Sequence, residues 1–259
     1  MTSAAHVRRK PRARSTAVAE TEYMREVQAW LDSGKGRSAF HHFGGGRGPT
    51  VPRWGHDIGT DTDARRELVK KYAFSIPTRS IIEQLTRHGP FIEVGAGTGY
   101  WAYELQQAGA DVIATDLCVG DDRTFDFERE WLPIEQAEAE DAAREHANRT
   151  LIIAWPDDFN NPRGWSDDAL EAYERAGGQR VVYIGEGDGG CTGSDRFHHI
   201  LWHRWHSVLE LQPPQWDGIN DYVEVYEVGA GKRQRSWGQI EAVKFQHDSW
   251  EDDDDDDED

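Results

Sequence analysis

The sequence predicts an α/β protein with a doubly wound, mostly parallel sheet, and three observations predict it. From Pro90 onward, short β-branched runs alternate with helical patterns. The first run ends in a glycine-rich turn, FIEVGAGTGYW, at 91–101. The last two runs, 207–211 and 221–228, are joined by a loop that holds Pro213 and Pro214 and no convincing helix. Alternation of this kind implies crossover units and a sheet covered on both faces. A connection without a helix suits an antiparallel pair at the sheet's end.

The elements follow in order. Residues 1–20, with Arg8, Arg9, Lys10, Arg12 and Arg14 around Pro11, lack apolar periodicity and are expected to form a disordered basic tail. At 23–31, Tyr23, Val27, Trp30 and Leu31 fall at helical spacing, and Gly34 and Gly36 offer a stop. The Gly-, Pro- and Asp-rich stretch 40–63 reads as an irregular loop of the length used by lids and linkers. Helices are expected over 64–73 and 77–88, the latter with an apolar stripe of Ile81, Ile82 and Leu85. Residues 21–89 thus read as an N-terminal cover on a domain at 90–247. Within that domain strands are expected near 91–95, 111–116, 131–136, 150–155 and 180–186, besides the last two runs. Helices are expected at 99–108, 137–148, 166–177 and 194–206. Residues 248–259 close with EDDDDDDED, a solvated acidic tail.

A chain of 259 residues with 11 Trp, 8 Tyr and 9 Phe has the apolar surface for a sizeable core. No run approaches a membrane span, and the basic N-terminus is not followed by an apolar segment of the signal type. Two cysteines, Cys118 and Cys191, are too few for a secreted disulfide framework, so a reducing, cytoplasmic setting is expected. The net charge is −19. The nine terminal acids carry −9 of it and the first 14 residues +5, which leaves −15 on the body between. An acidic body disfavours a nucleic-acid partner without excluding one, and nothing points to a membrane.

The glycine-rich turn is the most informative segment. Gly95, Gly97 and Gly99 let the chain turn sharply and let a ligand approach the main chain and the helix N-terminus. The spacing is GxGxG, and Tyr100 stands where a dinucleotide fingerprint would have its third glycine. Glu93, two residues before the first glycine, would oppose a pyrophosphate and suit a cationic amine. Asp116, 17 residues after Gly99 at the end of the second strand, is placed to accept from ribose hydroxyls. A ligand with positive centres and an adenosine meets these demands, and S-adenosylmethionine (SAM) has both.

On these residues the stretch 90–227 resembles the class I SAM-dependent methyltransferases, with EVGAGTGYW as their first motif. The resemblance implies a three-layer, Rossmann-like, doubly wound sheet of seven strands whose last strand is inserted antiparallel. It implies cofactor contacts from Glu93, Gly95, Ala96, Gly97, Gly99, Tyr100 and Asp116, with Glu138 at the adenine edge. YAFSIP (72–77), AWPDDF (154–159) and YIGEGDGGCTG (183–193) add a similarity to a functionally unassigned bacterial and protist group of this family. In it, Phe74 is a candidate lid residue.

Methyl transfer is an in-line displacement, so acceptor-side groups should lie at strand ends beside the cofactor. Trp155, Asp157 and Glu186 are the candidate catalytic residues. Trp155 can stack on the acceptor or the sulfonium, and Asp157 or its neighbour Asp158 can orient or deprotonate the acceptor. The corner Trp155-Pro156-Asp157 departs from the acid-, Asn- or Ser-Pro-Pro-aromatic corner of base-directed amino-methyltransferases, which counts against a nucleobase. Cys191 reads as a packed thiol. His199, His203 and His206 have metal-ligand spacing on a helix, but Phe197, Leu201 and Trp205 make the more plausible core stripe, so no metal is expected. The leading expectation is methyl transfer to a small-molecule or protein acceptor. The alternatives are a nucleobase methyltransferase and a non-catalytic SAM- or protein-binding module on the same scaffold.

Overall fold

The computed structural model describes residues 19–33, 61–122, 125–156, 159–216 and 218–229. Both expected charged tails, but for residues 19 and 20, and the loop expected over 40–63, but for its last three residues, lie outside the described residues. Those three open a helix rather than ending a loop.

Three helices precede the sheet: α1 (Glu22–Asp32), α2 (Asp61–Lys71) and α3 (Arg79–Leu85). Thr21 caps α1 by accepting from the Met24 amide at 3.2 Å, and Thr78 caps α3 by accepting from the Ile81 amide at 3.3 Å. Then come β1 (Phe91–Val94), α4 (Tyr100–Gln107), β2 (Val112–Asp116), β3 (Glu135–Gln136), α5 (Ala139–Glu145) and β4 (Thr150–Ala154). The chain continues with α6 (Trp165–Arg175), β5 (Arg180–Gly185), α7 (Asp195–Arg204), β6 (Trp205–Leu211) and β7 (Tyr222–Val228). The seven strands form one sheet in the order β3-β2-β1-β4-β5-β7-β6. All neighbours are parallel except β7, which runs antiparallel to both β5 and β6. This is the three-layer, Rossmann-like, doubly wound sheet with an inserted antiparallel strand.

Two expectations shift in detail. The third strand pairs only at Thr115–Glu135 and Asp116–Gln136, so it is far shorter than 131–136. Leu132 and Ile134 instead turn inward against the Gly99 α-carbon and Ala102. Helix α7 ends at Arg204, and Trp205 already pairs with Val228 in β6. Trp205 is buried, as the stripe required, but as a strand residue.

The strand alternation sorts the core into two faces. Ile92, Val94, Leu151, Ile153, Val181 and Tyr183 pack towards α5, α6 and α7, where Ala142, Leu170 and Phe197 meet them. Phe91, Ile152, Val182, Ile184 and Val225 pack on the other side under Ile82 and Leu85 of α3 and Trp101 and Leu105 of α4. Helix α3, read from sequence as part of the cover, is therefore a layer of the sheet. The cover is α1 with the chain around Tyr72, joined by Tyr23, Val27, Ile76, Tyr100 and Trp216. Each such side chain contributes about 1.5–3 kcal/mol on burial. The hydroxyl of Thr21 donates to the Pro77 carbonyl oxygen at 2.7 Å, and the Tyr23 amide donates to the Tyr100 hydroxyl at 2.9 Å. None of the described helices is long and apolar enough to cross a membrane.

Candidate functional site

The order of the strands reverses between β1 and β4, and loops leaving the carboxyl ends on either side of such a point diverge into a crevice. A cavity of about 380 Å³ opens there. Its walls come from the glycine turn, the ends of β2 and β4, the start of α5 and the chain at Ala73 and Phe74.

Each glycine of the turn has a left-handed backbone, with φ of +62° at Gly95, +57° at Gly97 and +71° at Gly99. A side chain at any of them is strained, and space is closed as well. A β-carbon would stand 2.7 Å from the Trp165 ring at Gly95, 2.8 Å from the Phe127 ring at Gly97 and 2.5 Å from Leu132 at Gly99. Gly95, Ala96 and Gly97 line the cavity. Gly99 does not: it is the turn's packing point against Leu132 and the start of α4.

The two acids of the motif are both engaged with backbone amides. Asp116 accepts from Gly97 N–H at 2.8 Å through Oδ2 and from Cys118 N–H at 2.9 Å through Oδ1, tying the glycine turn to the end of β2. Each carboxylate oxygen has a second lone pair, so both retain capacity towards a ligand. Glu93 is 1% exposed on the α4 side of β1, where Oε2 accepts from the Ala102 amide in the first turn of that helix at 3.0 Å. Burial pushes its carboxyl up to about 8 despite that bond, and the Asp116 charge adds to the rise. Such a group gains from a cation brought into the cavity.

Glu138 lines the cavity and occupies the position before α5 without making a side-chain capping bond. Tyr100 belongs to the lining, but its hydroxyl turns away: it donates to Glu104 at 2.6 Å and accepts from Tyr23. Its ring joins those of Tyr23, Tyr72 and Trp131 in the cover.

The opposite wall is aromatic. Phe74 stacks on Trp155 with ring centroids 5.1 Å apart and an interplanar angle of 15°. Phe125 and Phe127 meet Phe74 edge-on at 5.4 and 6.1 Å. Trp155 has φ of +51°, and its indole N–H donates to Ser75 Oγ. With that donor committed, and one ring face covered by Phe74, Trp155 serves as wall. Among the described residues the non-glycine positions of positive φ are Phe125, Asp126 and Trp155, of which Phe125 and Trp155 line the cavity. Strain of this kind concentrates at functional sites.

Asp157 and Asp158 are outside the described residues. Glu186 is buried away from the cavity lining, where its carboxylate accepts from the Cys191 amide at 2.8 Å and the Asn220 amide at 2.7 Å. It pins the 187–193 loop to the chain just before β7. Burial, reinforced by Glu186, pushes the Cys191 thiol up to about 12, which suits a packed thiol. His199 and His203 are exposed on α7, and His206 belongs to β6, so the three no longer share a helix face. Among the described residues no group of three metal-binding side chains occurs.

Sequence reasoning missed Phe125, Phe127, Trp165, Ser75 and Asp221. Aromatic residues before β3 carry no periodic signal. Asp221, 1% exposed at the start of β7, reaches Ser75 only through the fold.

Neither a protein-family model nor a curated protein sequence matches the chain. Among solved structures it is similar to the magnesium protoporphyrin IX methyltransferase of Synechocystis with bound SAM, at 10% identity and a TM-score of 0.41, covering 83% of this chain and 100% of that one. It is also similar to an N-methyltransferase of Bradyrhizobium japonicum, at 14% identity and a TM-score of 0.38, covering 66% of this chain and 98% of that one.

Proposed function

We propose that the chain is a SAM-dependent methyltransferase acting on a small-molecule or protein acceptor. The observation that carries the reading is the conjunction, at one cavity, of a left-handed glycine turn, whose Gly95 and Gly97 line it, with Asp116 and a buried Glu93 whose carboxyl is pushed up to about 8. These residues fit SAM. Glu93 would hold its ammonium, Asp116 its ribose hydroxyls, and Glu138 with the start of α5 its adenine edge, while the glycines at 95 and 97 leave room for its amino-acid end. When bound, SAM supplies an electrophilic methyl group on a sulfonium. The protein's own part is positioning and exclusion of water, and the wall of Phe74, Phe125, Phe127 and Trp155 serves both, since an aromatic ring face attracts a cation.

The character of Trp155 speaks against a nucleobase acceptor. An indole N–H is a donor only, and this one is already given to Ser75, so Trp155 itself offers an exocyclic amine no acceptor where the base-directed corner has an acid, Asn or Ser. A second reading, a SAM-binding module without catalysis, is favoured by one observation: Glu186, the buried acid after β5, is spent on backbone amides.

Isothermal titration of the protein with SAM and with S-adenosylhomocysteine tests the reading. Asp116→Ala is expected to weaken binding by about 1–3 kcal/mol. No heat and no thermal shift with either ligand would sink it. NAD serves as the control ligand, and tight NAD binding would redirect the assignment.

A further inference from the structure

Trp155 is held from several directions in a backbone conformation that bulky residues rarely adopt. Its amide donates to the Ile184 carbonyl oxygen at 2.7 Å, its ring stacks on Phe74, and its indole N–H donates to Ser75 Oγ. The Ser75 hydroxyl in turn donates to Asp221 Oδ2, from a residue 146 positions away in sequence. Ser75 and Asp221 are 0% and 1% exposed. The second carboxylate oxygen, Asp221 Oδ1, is buried with no hydrogen-bond partner. Burial pushes this carboxyl up to about 7, partly offset by the Ser75 bond, while the charge of Glu186 adds to the rise and the nearby Trp155 indole N–H and the Arg65 charge oppose it. A half-satisfied buried carboxyl is a costly way to fill space, and packing alone does not call for one.

We propose that Asp221 is a positioning residue for the cavity: acting through Ser75, it fixes the Trp155 ring and the 72–77 segment together as one wall over the glycine turn. The proposal rests on the reading of this cavity as a methyl-transfer site. Phe74 and Ser75 are consecutive, so a single segment grips the indole by its face and by its edge. Without the bond to Ser75 the edge loses its acceptor on the 72–77 segment, the strained corner is held by stacking, by Arg65 over the ring and by its backbone bond, and segment and ring lose their common reference. The same segment is anchored at its start, where the Thr98 hydroxyl of the glycine turn donates to the Tyr72 carbonyl oxygen. The chain from Asp221 therefore links the β7 end of the sheet to the turn that lines the other side of the cavity.

The test uses the full chain and two readouts: hydrogen exchange of the 72–77 segment in the free protein, and the release rate of S-adenosylhomocysteine from its complex. Ser75→Ala, Trp155→Phe and Asp221→Ala are each expected to speed exchange in 72–77 by roughly five- to tenfold, the factor that loss of one buried hydrogen bond implies, and to speed release by a similar factor. The Ser75→Ala/Trp155→Phe double variant is expected to go no further than either single one. Asp221→Asn, which keeps an oxygen for Ser75 to donate to, is expected to stay near the wild type. Effects that add in the double variant, or exchange unchanged by Ser75→Ala and Trp155→Phe, would overturn the proposal. Exchange in 72–77 unchanged by a folded Asp221→Ala, or as fast in Asp221→Asn as in Ser75→Ala, would overturn it as well, and should Asp221→Ala fail to fold, Asp221→Asn decides. A wild-type protein that does not take up S-adenosylhomocysteine overturns the methyl-transfer reading, and the exchange data still decide the positioning role.

Discussion

The two walls of the cavity are built on different principles. The wall at β1 and β2 is made by the backbone: consecutive residues 93–99 bend through three left-handed glycines, and a single acid, Asp116, closes the bend with two amide hydrogen bonds. The wall at β4 is made by side chains from distant places, with Phe74 and Ser75 before the sheet, Phe125 and Phe127 after β2, Trp155 after β4 and Asp221 before β7. A wall made by the backbone tolerates little substitution, because the conformation belongs to glycine. One made by convergent side chains has redundancy, and its members trade contacts more readily.

That difference orders the expected effects. The largest belongs to the backbone wall. Gly95→Val adds a left-handed penalty of about 1–2 kcal/mol and overpacking of about 1–3 kcal/mol against Trp165, so denaturant unfolding is expected to show a loss of about 3 kcal/mol or more. A loss below about 1 kcal/mol would mean that the turn relaxes, and the contrast between the walls would fail.

A smaller, pH-dependent effect belongs to Glu93. Its folded carboxyl titrates near 8, above its unfolded value, so the folded state holds the extra proton. Its contribution to stability is full below the unfolded carboxyl's value of about 4.3 and is lost as the pH rises towards 8. A cationic ligand reverses this by favouring the ionised form. Titration calorimetry of SAM at pH 7 in buffers of different ionisation heat is expected to show proton release by the wild type and none by Glu93→Gln. Equal release by both would take the ammonium away from Glu93.

The smallest expected effect separates the site from its scaffold. Glu186→Gln keeps an acceptor for only one of the amides of Cys191 and Asn220, so a stability loss of about 1–3 kcal/mol, with SAM affinity changed by no more than about twofold, is expected. A much larger fall in affinity would bring Glu186 back to the cavity.

Much of the sheet was legible because its signals are local. FIEV, TLIIA and RVVYIG read as buried strands from their apolar runs, and the Pro213-Pro214 connection without a helix foretold the antiparallel β7. The glycine turn, Glu93 and Asp116 were legible for the same reason, since a strand, a turn and a helix N-terminus place them within one crossover unit. The third strand was not: Leu132 and Ile134 look like strand residues by composition, but packing against Gly99 and Ala102 leaves only two residues to pair. Glu186 and Tyr100 carried the right chemistry and point the wrong way, one towards the amides of its own loop and the other into the cover.

By itself the sequence determined the alternation of elements, the glycine turn and the acids attached to it, because each depends on backbone preferences and spacing within a few residues. Only the tertiary structure decided the aromatic wall and the chain from Asp221 through Ser75 to Trp155. Hydrogen bonds and ring stacking between residues up to 146 positions apart leave no periodic trace in a sequence, and they exist only once the sheet has brought its ends together.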